Sequence, residues 1–124
     1  MINTRNMFEG ERVQESFSAG EFVFRKGEMG EAAYVLLDGE VELYAGNTLI
    51  TTFESGDIFG EMALIEKCER SADARAKSDC RLAVLDQKRF LFLVQQTPRF
   101  ALHMMSLFSD RLRKATERIV SQSV

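Results

Sequence analysis

Tyr34-Val35-Leu36-Leu37-Asp38-Gly39-Glu40-Val41-Glu42-Leu43-Tyr44 is the stretch on which the fold turns. An Asp-Gly pair between two apolar runs supplies the positive φ angles of a two-residue type I′ turn, so the run predicts a β-hairpin. Val41 and Leu43 alternate with Glu40, Glu42 and Tyr44, which gives the second strand one dry face and one wet face. Further turn signals lie on either side: Gly20, Gly27 with Gly30, Gly46-Asn47 and Ser55-Gly56. Short strands between regularly spaced turns are the pattern of a β-sandwich or barrel. The other predicted strands are Glu21 to Arg25, Thr48 to Phe53, Ala72 to Ala76 and Arg81 to Leu85.

All eight glycines lie at or before Gly60, and the single proline is Pro98. From Gln87 the apolar spacing becomes helical, with Phe90, Leu93 and Val94 on one side. Thr97-Pro98 marks a break and a restart, because threonine caps a helix and proline suits its first position. The last helix carries a stripe of Phe100, Met104, Phe108, Leu112, Ala115 and Ile119, which must be covered by the β part, by a second copy of the helix, or by both. The fold class read from these signals is mainly β with flanking helices. A β-sandwich or barrel spans about residues 13–86, and two C-terminal helices span about 87–120. The 124 residues fit one domain.

The composition is that of a globular protein, 45% hydrophobic and 28% charged. No apolar run reaches the roughly 20 residues needed to cross a bilayer, and the N-terminus lacks the apolar stretch of a secretory signal. Cys68 and Cys80 are too few and too far apart for a disulfide framework and read as reduced thiols, which implies a cytoplasmic protein. The net charge of −3 is unevenly spread. Residues 1–86 hold 9 Lys/Arg against 17 Asp/Glu, and residues 87–124 hold 7 against 2. The acidic part repels nucleic acid and anionic lipid, so neither nucleic acid nor membrane is expected as a partner. The basic part is spread around a helix, as in a solvated face, or serves an acidic partner. His103 is the only histidine, which leaves no metal site, and no cofactor is implied. There is no Ser/His/Asp set and no Cys/His pair near a recognisable turn, so an enzyme is not expected. A metalloenzyme built on a similar β-roll would need two or three histidines on its strands.

One segment carries chemistry: Phe59-Gly60-Glu61-Met62-Ala63-Leu64-Ile65, then Glu66 to Glu69, then Arg70-Ser71-Ala72. Gly60 allows a ligand to approach the backbone closely. Residues 60–65 contain good helix formers, and the first N–H groups of a short helix there would favour an anion. Arg70 can meet a phosphate with a planar, bidentate fork, and Ser71 can add a hydroxyl donor. Glu61 would repel a phosphate but can accept a hydrogen bond from a sugar hydroxyl. Phosphate donors beside a sugar acceptor describe a nucleotide pocket.

Gly60-Glu61-x-Ala63-Leu64 followed after five residues by Arg70-Ser71-Ala72 resembles the phosphate-binding cassette of the cyclic-nucleotide-binding family. That family includes the bacterial cyclic-AMP receptor protein and protein kinase A regulatory subunits. Phe17 to Glu28, Tyr34 to Leu43 and Gly56-Asp57-Ile58-Phe59-Gly60-Glu61 are similar to its strands and turns, so the resemblance covers about residues 13–120. It implies a jelly-roll-like, eight-stranded β-roll (a double-stranded β-helix) flanked by helices, with a shortened or missing N-terminal helix. It also implies a site of Gly60, Glu61, Met62, Ala63, Arg70, Ser71, Ala72 and Thr116. Glu61 would take the ribose 2′-hydroxyl. Arg70 would take the cyclic phosphate, with Ser71 and the backbone N–H groups of Gly60 and Ala63. The last helix would close over the base; there Ala115-Thr116 stands where a Thr-Ser pair reaches adenine in the family. Ser71 instead of threonine favours cyclic AMP over cyclic GMP. Since no DNA-binding segment follows, the expectation is a stand-alone regulatory module. It would signal to a partner protein or to its own dimer through the C-terminal helix. The alternative is a structural or interaction domain of the same fold whose pocket is empty or differently filled.

Overall fold

The computed structural model describes residues 3–122, with the side chain of Gln122 left aside. The chain divides into two compact units, residues 3–90 and residues 91–122, each considered by itself.

The first unit opens with a short helix, α1 (Thr4–Phe8), capped by the Asn3 side chain, which accepts from the Asn6 N–H at 3.0 Å. Ten strands follow: β1 (Gln14–Phe17), β2 (Phe22–Phe24), β3 (Met29–Gly30), β4 (Ala32–Asp38), β5 (Val41–Ala45), β6 (Thr48–Phe53), β7 (Ile58–Phe59), β8 (Cys68–Glu69), β9 (Asp73–Ala76) and β10 (Cys80–Asp86). A one-turn helix, α2 (Met62–Ile65), lies between β7 and β8. Eight strands form two four-stranded antiparallel sheets, ordered β1-β10-β4-β7 and β2-β9-β5-β6. The remaining two, β3 and β8, pair as a separate ribbon with Met29 opposite Glu69 and Gly30 opposite Cys68. Crossing from one sheet to the other and back is the jelly-roll arrangement that the family resemblance implies.

The core lies between the sheets. Leu36, Phe59, Cys80 and Leu82 from the first meet Phe24, Val41, Phe53, Ala74 and Ala76 from the second. Alanines on β9, the strand paired with both β2 and β5, leave room for three phenylalanine rings. Phe53 stacks on Phe59 with centroids 4.8 Å apart, and Phe59 lies 6.2 Å from Phe24.

The hairpin predicted at Asp38-Gly39 is not one. β4 and β5 leave that turn into different sheets. Gly39 has φ +91°, but Asp38 is not left-handed, so the paired positive φ angles of a type I′ turn are missing. The reason lies in β4. Val35, Leu36 and Leu37 are all fully buried, because α1 and α2 pack on one face of that strand while the other faces the core. A strand covered on both sides carries an unbroken apolar run. A Cβ on Gly39 would collide with the Asp79 carbonyl oxygen, which fixes glycine at the crossover. The true hairpin is β5–β6 around Gly46-Asn47, with Val41 opposite Phe53.

Asp38 anchors the N-terminal helix instead. Its carboxylate accepts from Arg5 at 3.0 Å and from Arg81 at 2.6 Å, and Arg81 also reaches Glu9 at 2.7 Å. These hydrogen bonds, from Arg5 first and then Arg81, hold the Asp38 carboxyl below the usual carboxylate range. A depressed folded-state pKa stabilises the protein above the unfolded value of ~3.9. That contribution is lost as the pH falls through the folded value. Asp38→Asn should therefore lower the urea midpoint at pH 7, and the gap between the two proteins should shrink steadily as the pH is lowered below ~3.9. A gap of constant size across that range would show that the charge plays no part.

The second unit holds the end of α3 (Gln87–Gln96) and all of α4 (Pro98–Gln122). The break falls where Thr97-Pro98 predicts it, with the Phe100 N–H bonded to the Thr97 carbonyl at 2.8 Å. Along the α4 stripe Phe100 and Met104 are buried and Phe108 is partly buried, while Leu112 and Ile119 are exposed. No helix in the described residues is long and apolar enough to cross a membrane.

Candidate functional site

The site grows from the crossover between β7 and β9. Phe59 is locked into the core, so Gly60 leaves β7 at a fixed point with φ +74°. The chain then makes the single turn of α2, closed by the Leu64 N–H to the Glu61 carbonyl at 2.9 Å and the Glu66 N–H to the Met62 carbonyl at 3.1 Å. It returns through β8 to Arg70. The Arg70 backbone is clamped to the β2–β3 loop, its N–H donating to the Glu28 carbonyl at 2.7 Å while its carbonyl accepts from the Gly27 N–H at 2.9 Å.

Arg70 is 9% exposed. Its Nη1 donates to the Gly60 carbonyl at 2.9 Å and its Nη2 to the Ala32 carbonyl at 2.6 Å. The guanidinium lies over the Phe24 ring at 4.2 Å and near the Tyr34 ring at 5.9 Å. Among the described residues no carboxylate pairs with it. Burial pushes the neighbouring Tyr34 phenol up, and Arg70 pulls the other way. Two carbonyls and an aromatic face thus fix the planar fork without neutralising it. A buried cation in that state favours an anion beside it.

A cavity of about 290 Å³ opens beside the guanidinium. Six of the eight residues singled out by sequence line it: Gly60, Met62, Ala63, Arg70, Ser71 and Ala72. Glu61, the N-cap residue of α2, sits in the chain between two lining residues and is partly exposed. Thr116 belongs to the helical unit, exposed, with its hydroxyl donating to the Leu112 carbonyl at 2.9 Å. The Ala63 N–H, expected as a phosphate donor, faces the Gly60 carbonyl at 3.4 Å, a long contact that leaves it weakly held. Among the described residues no cluster of His, Cys, Asp or Glu forms a metal site.

Sequence reasoning missed Phe24 and Leu43, which reach the cavity from β2 and β5; Cys68 and Glu69, inside the quoted segment, also line it. Gly30 stands behind Arg70, where a Cβ would lie 2.8 Å from the guanidinium carbon and 3.0 Å from the Ala63 Cβ. Its neighbour Gly27 carries the visible turn signal, so nothing in the local sequence marked Gly30 as the tighter of the pair.

A sequence model described as the cyclic nucleotide-binding domain matches residues 14–97. The cyclic AMP receptor protein of Thermus thermophilus is 32% identical over 104 residues, 80% of this chain and 48% of the relative. The cAMP-dependent protein kinase regulatory subunit of Schizosaccharomyces pombe is 33% identical over 103 residues, 77% of this chain and 25% of the relative. The chain thus spans about half the first relative and a quarter of the second. Among solved structures, the Thermus thermophilus catabolite activator protein superposes with a TM-score of 0.76 at 30% identity, covering 90% of this chain and 55% of that one.

Proposed function

The chain belongs to the cyclic nucleotide-binding domain family, and from that premise we propose that it is a regulatory sensor of cyclic AMP rather than an enzyme. The observation that carries this reading is Arg70: a buried guanidinium, held by two carbonyls and stacked on Phe24, at the wall of a cavity. The cyclic phosphate completes its charge, with Ser71 and the Ala63 N–H as further donors. Ala72, Met62 and Gly60 shape the same wall. Glu61 accepts from the ribose 2′-hydroxyl. Thr116 serves the base from α4, which moves to close on the ligand. Cyclic AMP is favoured over cyclic GMP because Ser71, not a threonine, follows Arg70. The names of two relatives, a cyclic AMP receptor protein and a cAMP-dependent kinase regulatory subunit, support that choice. The signal passes to a partner protein or a second copy of the chain, in the cytoplasm, where Cys68 and Cys80 stay free.

Calorimetry with cyclic AMP, cyclic GMP and 5′-AMP tests the reading. Cyclic AMP should bind most tightly and 5′-AMP least; heat from none of the three would leave an interaction domain with an empty pocket. The Glu61 role has its own check. A ligand without the 2′-hydroxyl leaves a desolvated acceptor unmatched, at a cost of ~1–3 kcal/mol. We expect 2′-deoxy cyclic AMP to bind at least ~10-fold more weakly, and Glu61→Gln to shrink that gap. Equal affinity for the deoxy and parent ligands in the unaltered protein would remove Glu61 from the site.

A further inference from the structure

A second recess of about 340 Å³ lies at the end of the β2-β9-β5-β6 sheet, with walls that include Phe22, Arg25, Tyr44, Asn47 and Arg75. None of these residues takes part in the nucleotide cavity. The Arg25 guanidinium lies over the Phe22 ring at 4.2 Å, and that of Arg75 approaches the same ring at 5.8 Å. Phe22 and Arg75 are opposite one another across the β2–β9 ladder, so the pairing is built into the sheet register.

Residues 1–86 carry 17 acidic against 9 basic side chains. Of the arginines there, Arg5 and Arg81 have carboxylate partners, while Arg12 and Arg70 have none among the described residues. Arg25 and Arg75 have none among the described residues. Glu42 faces Arg75 across the β5–β9 ladder but lies beyond ion-pair distance. Arg75 gives its Nε to the Gly20 carbonyl at 3.2 Å, which leaves its terminal nitrogens to solvent.

Stacking uses the face of a guanidinium and leaves its edge, where the N–H donors lie, for a planar acceptor. The loop that carries Arg25 is held in place. Its N–H donates to Glu28 at 2.8 Å, and the Lys26 N–H donates to Asp73 at 2.7 Å. Asp73, itself part of the recess wall, anchors the loop through one oxygen and keeps its negative charge against the two guanidinium charges. Two guanidinium edges beside one aromatic ring, that of Arg75 held by the Gly20 carbonyl, fit one or two carboxylates flanking an apolar side chain. A polyanion such as a nucleic acid would have to run onto the acidic surface beyond the recess.

We propose that this recess docks a short acidic segment of a partner protein, with its carboxylates on Arg25 and Arg75 and an apolar residue on Phe22 and Tyr44. Docking there would leave the nucleotide cavity open, so both ligands can be held at once.

The test uses the full nitrogen-15-labelled chain and a blocked hexapeptide of alternating glutamate and phenylalanine. Controls are the same peptide with glutamine for glutamate, inorganic phosphate, and a short oligothymidylate. The acidic peptide should shift the Arg25 and Arg75 Nε–H signals and the Asn47 amide saturably. A Arg25→Ala/Arg75→Ala variant should bind it at least ~10-fold more weakly with unchanged affinity for cyclic AMP, which also reports that the variant is folded. Any of four results would overturn the proposal. They are no saturable shift, equal shifts with the glutamine peptide, shifts produced by phosphate or oligothymidylate in place of the peptide, or undiminished peptide binding by the double variant.

Discussion

Arg70→Ala should weaken cyclic AMP binding by ~30- to 4,000-fold, the effect of removing ~2–5 kcal/mol from a buried charge partner. The size of the effect follows from how the side chain is held. With two nitrogens on the Gly60 and Ala32 carbonyls and its face on Phe24, the guanidinium is already placed before the ligand arrives. Little ordering cost then falls on binding. The same bonds predict a folding penalty. Truncation leaves the Gly60 and Ala32 carbonyls without their donor, at ~1–3 kcal/mol for each that stays buried. Arg70→Lys should keep a charge but lose the fork and the stacked plane, and so fall between the two proteins. Calorimetry at 25 °C on folded variants decides. A dissociation constant for Arg70→Ala within threefold of the unaltered protein would mean that the phosphate sits elsewhere.

Much of this arrangement was legible in the sequence, for a physical reason. Turn residues punctuate a β-roll at fixed points, and an arginine followed by two small residues at a set distance from Gly-Glu describes one short loop of chain. The cassette is local: Gly60 to Ala72 forms most of the cavity wall within 13 consecutive residues. What could not be read was non-local. The Asp38-Gly39 turn carries a hairpin signature, yet β4 takes β10 and β7 as neighbours, because its apolar run is covered by α1 and α2. A sequence window around the turn does not contain those helices. Likewise, Phe24 supports Arg70 from 46 positions away, and Ala32 holds it from 38. Their roles arise only once β2, β4 and β9 are assembled. The strand read over Glu21 to Arg25 also stops short of β3, whose two residues have no periodicity to detect.

Gly30 is where that non-local packing yields the sharpest expectation. It pairs with Cys68 in the β3–β8 ribbon and lies directly behind the Arg70 side chain. A methyl group there would sit 2.8 Å from both the guanidinium carbon and Nε, and 3.0 Å from the Ala63 Cβ. Its own backbone is not left-handed, so the objection to a side chain is space alone. A flexible arginine would normally swing aside, but this one is fastened at its far end to Gly60 and Ala32. Gly30→Ala must therefore either break those bonds or push β3 away from the cassette. Overpacking of this kind costs ~1–3 kcal/mol. We expect most of it in the fork's position, weakening cyclic AMP by ~30- to 150-fold at the upper part of that range. The decisive measurement is a double-mutant cycle. If the damage runs through the guanidinium, Gly30→Ala should cost almost nothing further once Arg70→Ala has removed the group it collides with, and the two losses should be far from additive. Additive losses would show instead that Gly30 acts through the β3–β8 backbone, with Arg70 untouched.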